Sequence, residues 1–176
     1  MNIIIERATS ADASEILQYL KQIGSETDNL SFGSEGLPFT PESEAEYLGR
    51  IENSCDEIML VARKDGKIVG SATLSRLPRR MKHRGDFSVS VLKEYWNQGI
   101  GSLLLHEIIR FARKNSFEVI DLQVRSDNKS AIHLYRKFGF TKIGTHPNFF
   151  KISSDEISFD YMFFYYVLCN LITQPR

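Results

Sequence analysis

Two closely spaced glycines, Gly99 and Gly101, join an extended apolar segment (residues 87–92) to a strongly helical one (residues 103–114). Glycine allows the backbone to approach a ligand closely or to adopt a positive φ. The first turn of a helix carries N–H groups without intrahelical acceptors, at the positive end of the helix dipole. The stretch therefore predicts a strand, a tight turn and a helix whose N-terminus binds a phosphate group.

The composition is that of an ordinary globular protein, since 42% of the 176 residues are apolar and 25% are charged. A chain of this length is expected to form a single domain over residues 1–176. Lys plus Arg and Asp plus Glu each count 22, so the formal net charge is zero. This balance argues against a surface made mainly for nucleic acid or for anionic membrane.

The sequence also lacks the usual signs of export and of metal binding. No apolar run is long enough to cross a bilayer, and residues 1–7 read as a strand without the basic region of a signal peptide. Cys55 and Cys169 lack the spacing of metal ligands. We therefore expect a cytoplasmic protein with two reduced thiols, no metal and no membrane partner.

Hydrophobic periodicity and turn signals predict an α+β fold, with an antiparallel meander followed by a β-α-β-α-β order. Ser10 or Asp12 is the expected cap of the first helix, and Asp65-Gly66 is a hairpin signal. The predicted helices cover residues 12–23, a segment starting at Pro41, residues 99–115 and residues 128–138. The predicted strands cover residues 2–8, 58–63, 67–77, 86–92, 118–124, 140–143 and 159–168.

The glycines alone leave two kinds of phosphate site open. A dinucleotide site normally has a third glycine, and Leu104 stands where it is expected. Asp121 lies about twenty residues further on, the separation of a ribose-binding acid. The residues that follow Asp121 place it in the middle of a strand, however. The paired glycines therefore do not by themselves distinguish a dinucleotide from another phosphate ligand.

A second motif follows one strand later, between Val124 and Phe140. It combines an Asn, a small Ala and the pattern Leu-Tyr-x-Lys-x-Gly-Phe, in the residues Asn128, Ala131, Leu134, Tyr135, Lys137, Gly139 and Phe140. Together with Gln-Gly-Ile-Gly at residues 98–101, this motif resembles the GNAT superfamily of N-acetyltransferases. The resemblance covers residues 2–168 in element order and is specific over residues 86–140.

The resemblance implies a twisted, mostly antiparallel sheet of about seven strands, splayed in the middle and flanked by about four helices. It also implies acetyl-CoA as co-substrate, so that the glycines hold the coenzyme's pyrophosphate. The splay would leave backbone groups unpaired, and the main chain of Val89, Val91 and Leu92 would bind the pantetheine arm there.

The resemblance also assigns the pyrophosphate cradle. N–H groups from Gln98 to Ser102 would donate to the pyrophosphate. Trp96 departs from the family pattern, which has Gln or Arg at this position, and both stacking on the coenzyme and simple packing are open for it. The cradle residues are Trp96, Asn97, Gln98, Gly99, Ile100, Gly101 and Ser102.

Three side chains are candidates for proton transfer. The resemblance implies that Tyr135 protonates the departing thiolate, a role that suits a phenol near a thiolate of comparable basicity. Asp86 is the first candidate for removing the proton of the acceptor amine, since several family members carry a Glu on this strand. His83 is the second, because it titrates in the right range.

The helix of the second motif adds further predicted coenzyme contacts. Asn128 has the residue type and position of an N-cap, and the resemblance adds a coenzyme contact for Asn128 and for Ala131. Lys137 is predicted to reach the coenzyme phosphates.

The residues leave the identity of the acceptor amine open. The basic segment 76–84 would attract an acidic acceptor. The aromatic run over residues 159–166 would line an acceptor pocket, or would form a final strand that is buried on one face and pairs with a second subunit. Such a strand would be an aggregation liability unless it were covered, which favours a homodimer. An acidic segment would instead favour a cationic amine, and its acids are Glu26, Asp28, Glu35, Glu42, Glu44 and Glu46.

We therefore predict an N-acetyltransferase that moves the acetyl group of acetyl-CoA onto a primary amine of a small molecule or protein, by direct attack in a ternary complex. Two alternatives stay open. The first is a non-catalytic regulatory protein that binds acetyl-CoA, and the second is a dinucleotide-dependent oxidoreductase.

Overall fold

The computed structural model describes residues 2–151 and 158–168. Every predicted helix and strand is present, and the strand expected over residues 140–143 extends further along the chain. The helices are α1 (Ala13–Glu26), α2 (Pro41–Ile51), α3 (Ile100–Lys114) and α4 (Lys129–Lys137). The strands are β1 (Ile3–Arg7), β2 (Glu57–Lys64), β3 (Lys67–Arg76), β4 (Arg84–Val91), β5 (Val119–Arg125), β6 (Thr141–Lys151) and β7 (Ser158–Val167).

The strands form a seven-stranded sheet in the order β1-β2-β3-β4-β5-β7-β6. The β1–β2, β2–β3, β5–β7 and β6–β7 pairs are antiparallel. β4 and β5 are parallel, and their register contains only three pairs, from Arg84 with Val119 to Asp86 with Asp121. The mostly antiparallel sheet that is splayed at its middle strands is thereby confirmed.

The chain divides into two compact units, Met1–Ser75 with Ser88–Ile108 and Arg76–Phe87 with Ile109–Arg176. In the first unit, apolar residues of α1 and α2 pack with residues of β2 and β3 into a core. The single domain predicted for residues 1–176 stays a prediction. The core consists of Ala8, Ala13, Ile16, Tyr19, Ile23, Leu48, Ile51, Val61, Ile68 and Leu92.

The second unit is built around β5 and β7. Ile120 and Leu122 of β5 and Phe164 of β7 are almost completely buried. β7 lies between β5 and β6, so both of its edges are paired, and its aromatic residues are buried or half-buried. Neither edge of β7 is therefore left to pair with a second subunit, and the homodimer itself stays a prediction.

Local signals set the connections between elements in the first unit. Asp65 and Gly66 join β2 to β3 with φ values of 50° and 81°, the left-handed backbone that a tight hairpin turn requires. The start of α1 differs from the prediction. Ser10–Asp12 form a 3-10 turn, and neither Ser10 nor Asp12 caps α1 with its side chain. The Asp12 carboxylate instead accepts a hydrogen bond from Thr9 N at 2.7 Å.

Two features are absent from residues 2–151 and 158–168. No helix there is long and apolar enough to cross a membrane. No group of three or more His, Cys, Asp or Glu side chains there could hold a metal ion. Cys55 is an exposed free thiol, and Cys169 lies outside the described residues.

Arg63 on β2 ties the beginning of the chain to the sheet. Its guanidinium lies 2.6 Å from a Glu6 oxygen, 2.5 Å from an Asp12 oxygen and 2.7 Å from a Glu15 oxygen. It also donates to the main-chain oxygen of Gly66 at 3.0 Å. Because the Arg63 side chain is only 15% exposed, its removal would leave carboxylates uncompensated in a partly desolvated position.

We expect Arg63→Met to lower the free energy of unfolding by about 3 kcal/mol, because the carboxylates lose their shared cation. Urea denaturation monitored by circular dichroism measures the change. Arg50→Met is the matched control, since the Arg50 side chain is 65% exposed and makes one ion contact, at 3.4 Å. Arg50→Met should lower the free energy of unfolding by less than about 1 kcal/mol. Equal losses in the two variants would contradict a special role for the Arg63 network.

Candidate functional site

The main chain of β4 alternates between the two edges of the strand. Leu77 N donates to Arg84 O, and Leu92 N donates to Val69 O, each at 3.0 Å. Residues that bond to an antiparallel neighbour alternate along a strand. Val89 therefore directs its N–H and C=O groups to the opposite edge, where pairing with β5 has already ended. The strand offers main-chain groups at an open edge, as predicted for the pantetheine arm.

Bonds within the protein already engage two of the residues predicted to contact the coenzyme. Trp96 Nε1 donates to the carbonyl of Val91 at 2.6 Å, and the Trp96 side chain is exposed. Trp96 thus binds the open edge of β4 instead of packing in the core. Leu92 N is bonded to β3, and the Leu92 carbonyl accepts from Tyr95 N at 2.9 Å. These bonds count against a coenzyme contact through the Leu92 main chain.

The N-terminus of α3 presents the donors expected from the glycine motif. The first bond of the helix runs from Leu103 N to Gly99 O at 3.0 Å. The N–H groups of Ile100, Gly101 and Ser102 have no acceptor in the part of the chain that the structure describes. Gly99 has a φ of +82°, and no other heavy atom lies within 4 Å of the place where a Cβ would stand. This end of α3 therefore combines free donors with open space, as an anion site requires.

A close approach of α3 to β3 holds this helix end in place. A Cβ on Gly70 would lie 3.2 Å from side-chain atoms of both Ile100 and Leu104, and these two side chains are buried. The cradle residues before the helix are exposed instead. Asn97 has a φ of +60°, and the Gln98 amide donates to a main-chain carbonyl of the preceding turn at 2.9 Å.

In the second unit, Tyr135 of α4 lies in an aromatic environment. Its ring centroid is 6.3 Å from that of Phe87, 5.8 Å from that of Phe140 and 6.3 Å from that of Phe164. Burial raises the pKa of the Tyr135 hydroxyl, which keeps the group protonated at neutral pH. Within the described residues the hydroxyl has no hydrogen-bond partner, although every fully buried polar side-chain atom there has one. The hydroxyl therefore lies in the small exposed part of Tyr135.

The predicted cap of α4 is confirmed. Asn128 Oδ1 accepts a hydrogen bond from Ala131 N at 3.1 Å, and Gly139 ends the helix with a φ of +89°. Lys137 is exposed in the last turn. Contacts of Asn128, Ala131 and Lys137 with a coenzyme stay predictions.

Asp86 of β4 faces a second carboxylate across the parallel pair. Although Asp86 keeps access to solvent, surrounding protein removes part of the hydration of its carboxylate and raises its pKa, and repulsion from Asp121 raises it further. Asp121 is the register partner of Asp86, and both of its carboxylate oxygens accept from Arg84, one at 2.7 Å. This ion pair argues against Asp121 as the ribose-binding acid of a dinucleotide site.

The basic segment 76–84 is not one continuous charged patch. Arg76 lies over the ring of Phe117 at 3.8 Å and donates to Asn115 O at 2.6 Å. Arg84 is engaged with an aspartate on β5. His83, the second candidate base, is exposed, as are Arg79, Arg80 and Lys82.

A cavity of about 500 Å³ lies beside β4 within the first unit. Ser88, Val89 and Ser90 line one side of it. Hydroxyl pairs fix this side, since Ser88 Oγ lies 2.7 Å from Thr73 Oγ1 and Ser90 Oγ lies 2.8 Å from Tyr19 Oη. The strand with the open edge therefore also borders a space large enough for a small ligand.

Glu44 of α2 lines this cavity and is only 4% exposed. Desolvation raises the pKa of its carboxyl group. From its sequence position Glu44 is one of the acids of an acidic segment, and no separate role is predicted for it. Helical spacing distinguishes Glu44 from the other acids of the segment. Glu44, Leu48 and Ile51 recur at the core positions of α2, and all three are buried.

Comparison with known proteins agrees with this fold and these motifs. The acetyltransferase (GNAT) family matches residues 25–140. An acetyltransferase of this family from Streptococcus pneumoniae has a solved structure that superposes with a TM-score of 0.90 at 31% identity, covering 94% of this chain and 99% of that chain. The structure of YncA from Salmonella typhimurium, solved with its cofactor acetyl-CoA, has a TM-score of 0.82 at 19% identity and 98% coverage of both chains. At that identity the likeness concerns the fold alone.

Among curated proteins, the N-alpha-acetyltransferase RimI of Mycobacterium tuberculosis is 38% identical over 93 residues. The matched region is 52% of this chain and 57% of RimI. The chain therefore spans less than two thirds of the length of this relative.

We expect Asp121→Asn to lower the pKa of Asp86, because it removes the repelling carboxylate and leaves Arg84 without its anion. Carbon-detected NMR titration of the Asp86 carboxyl group measures the change. Asp127→Asn is the matched control, since it also removes an aspartate from an arginine, at 2.6 Å from Arg125. An unchanged Asp86 pKa in Asp121→Asn would contradict the proposed coupling.

Proposed function

Because the chain belongs to the GNAT acetyltransferase family, we propose that it transfers the acetyl group of acetyl-CoA to an amine, by direct attack of the amine in a ternary complex. The observation that carries the proposal is the open edge of β4, where Val89 directs main-chain groups away from β3. When bound, acetyl-CoA supplies an activated thioester and an amide-containing arm that can pair with such an edge.

The first unit would bind the donor. Main-chain groups of Val89 pair with the amide arm, which satisfies groups that no strand satisfies. The N–H groups of Ile100, Gly101 and Ser102 donate to the pyrophosphate at the positive end of the α3 dipole. A main-chain N–H near Val91 polarises the acetyl carbonyl. Binding of the coenzyme thus relies on backbone groups, which leaves the side chains of β4 free to line the cavity.

Asp86 and Tyr135 would move protons. Asp86 accepts a proton from the acceptor ammonium, which frees the nitrogen lone pair for attack on the acetyl carbon. Tyr135 Oη then gives a proton to the sulfur as the C–S bond breaks and the C–N bond remains. Burial raises the pKa of Tyr135, so the group is protonated before the step. A proton from the new amide nitrogen restores the tyrosine.

A direct assay distinguishes the proposed enzyme from a non-catalytic acetyl-CoA-binding protein. The purified protein is incubated with acetyl-CoA and a panel of amines, polyamines, aminoglycosides and peptides with free N-termini, and the release of free thiol is followed. Tight binding of acetyl-CoA without thiol release on any acceptor would support the regulator. Absence of both binding and release would overturn the proposed function.

We expect Tyr135→Phe to lower kcat by about 10²- to 10⁴-fold while acetyl-CoA binding is unchanged, because the change removes one proton donor and little else. Thiol-release kinetics and isothermal titration calorimetry measure the two quantities. Tyr165→Phe on β7 removes a hydroxyl from another half-buried tyrosine and serves as the control. A Tyr135→Phe enzyme with full activity would exclude the hydroxyl as the acid.

We expect kcat at saturating amine to fall as the pH drops through the pKa of Asp86, because only the ionised carboxylate accepts a proton. Since desolvation raises this pKa, the fall should come at a higher pH than the ordinary value of about 3.9 would give. Asp121→Asn should move the acidic limb to lower pH, and Asp86→Asn should lower kcat by about 10²-fold. An acidic limb that disappears in His83→Gln would assign the role to His83 instead.

A further inference from the structure

The cavity of about 500 Å³ in the first unit has a composition that restricts what it can hold. Aliphatic and aromatic side chains from α1 and from the segment before α2 form most of its walls, among them Leu20, Phe32 and Phe39. Glu44 is the one charged residue among the described residues that line it. A ligand that fills this space must therefore be largely apolar and must present a group that suits a single carboxylate.

The Glu44 carboxylate has no partner within the protein. Neither a hydrogen bond nor an ion pair reaches its side chain from residues 2–151 or 158–168, yet the residue is only 4% exposed. Because every fully buried polar side-chain atom in those residues has a partner, the Glu44 oxygens must reach the open space of the cavity. An ionised carboxylate held in this way is unfavourable until a cation joins it.

The neighbouring hydroxyl groups form hydrogen bonds with groups other than Glu44. Tyr47 Oη donates to Glu57 at 2.9 Å, and Ser43 Oγ donates to the main-chain oxygen of Thr40 at 3.0 Å. The hydroxyls of Ser88 and Ser90 are paired on the β4 side, as described above. None of these hydroxyl groups binds Glu44.

We propose that this cavity is the acceptor site and that Glu44 binds the ammonium group of the acceptor, a compact primary amine with an apolar body and no carboxylate. The inference rests on the proposed acetyl transfer and names the substrate class of that site. An amine bound at Glu44 lies in the same cavity as Val89, whose main chain is assigned to the donor. Glu44 thus determines which acceptor is bound.

Exclusion of carboxylates follows from the same lining. Within the described residues no Lys, Arg or His lines the cavity, so the carboxylate of a free amino acid would find no cation there. Glu44 would repel it, and transfer into the apolar walls would strip its hydration. The protein should therefore strongly prefer an amine as acceptor over the amino acid that differs from it by one carboxylate.

The first experiment uses such matched pairs with the whole protein and saturating acetyl-CoA. 2-Phenylethylamine is compared with phenylalanine, tryptamine with tryptophan, and pentylamine with norleucine, by thiol release. We expect kcat/KM for each amine to exceed that for its amino acid by about 100-fold or more. Equal or higher activity on the amino acids, or activity only on peptide N-termini, would overturn the inference and leave the proposed function intact.

The second experiment compares Glu44→Gln with Glu46→Gln, an exposed acid on the same helix. We expect Glu44→Gln to raise KM for 2-phenylethylamine by about 100-fold with a small change in kcat, because a ground-state ion pair is lost. Acetyl-CoA binding should not change in either variant, and Glu46→Gln should match the original protein. A fall in kcat at constant KM would show that Glu44 acts in the chemical step and would overturn the binding role.

A third measurement does not depend on turnover. With saturating CoA present, 2-phenylethylamine should raise the Tm of the original protein and of Glu46→Gln, and should leave the Tm of Glu44→Gln unchanged. Glu44→Gln is expected to fold, since it replaces a desolvated charge with a neutral side chain of the same shape. The inference fails if none of the three amines raises the Tm of the original protein. A protein that shows no CoA binding and no thiol release with any acceptor would instead refute the proposed function itself.

Discussion

A strand satisfies its main-chain groups through neighbours on both edges, and β4 has such a neighbour on one edge for only three residues. This partial pairing is the constraint on which the rest of the candidate site depends. Beyond Asp86 the strand offers N–H and C=O groups to a ligand. β4 ends at Val91, and α3 begins at Ile100. The cavity lies beside Ser88, Val89 and Ser90 of the same strand. A fully paired β4 would make a more regular sheet and would leave no place for the donor arm.

The features that local chemistry controls were predictable from the sequence. Asp65-Gly66 gave the hairpin because few residues adopt two successive positive φ angles. Asn128 gave the start of α4 because its side chain accepts a hydrogen bond from three residues further on. Gly99 marked the start of α3 because glycine readily adopts a positive φ, here +82°. The family resemblance then supplied the mostly antiparallel sheet and its splay, which no local signal contains.

The features that depend on long-range packing were not predictable. The bond from Trp96 to Val91 needs the turn after β4 to fold back on the strand, and nothing in the residue types requires it. The place of β7 between two strands follows from the order of the whole sheet, so the sequence alone did not show that both of its edges are paired. Glu44 was obscured by the acids around it, although its helical position beside Leu48 is a core position.

Trp96 gives the protein a fluorescent group at the open edge of β4. It is the only tryptophan of the chain, its indole is 40% exposed, and its ring nitrogen is bonded to the carbonyl of Val91. Light absorbed at the red edge of the aromatic band is therefore absorbed by this one ring. The intrinsic fluorescence of the protein is a label already built into the open edge of β4, and its emission would respond to any molecule that occupies or displaces that bond.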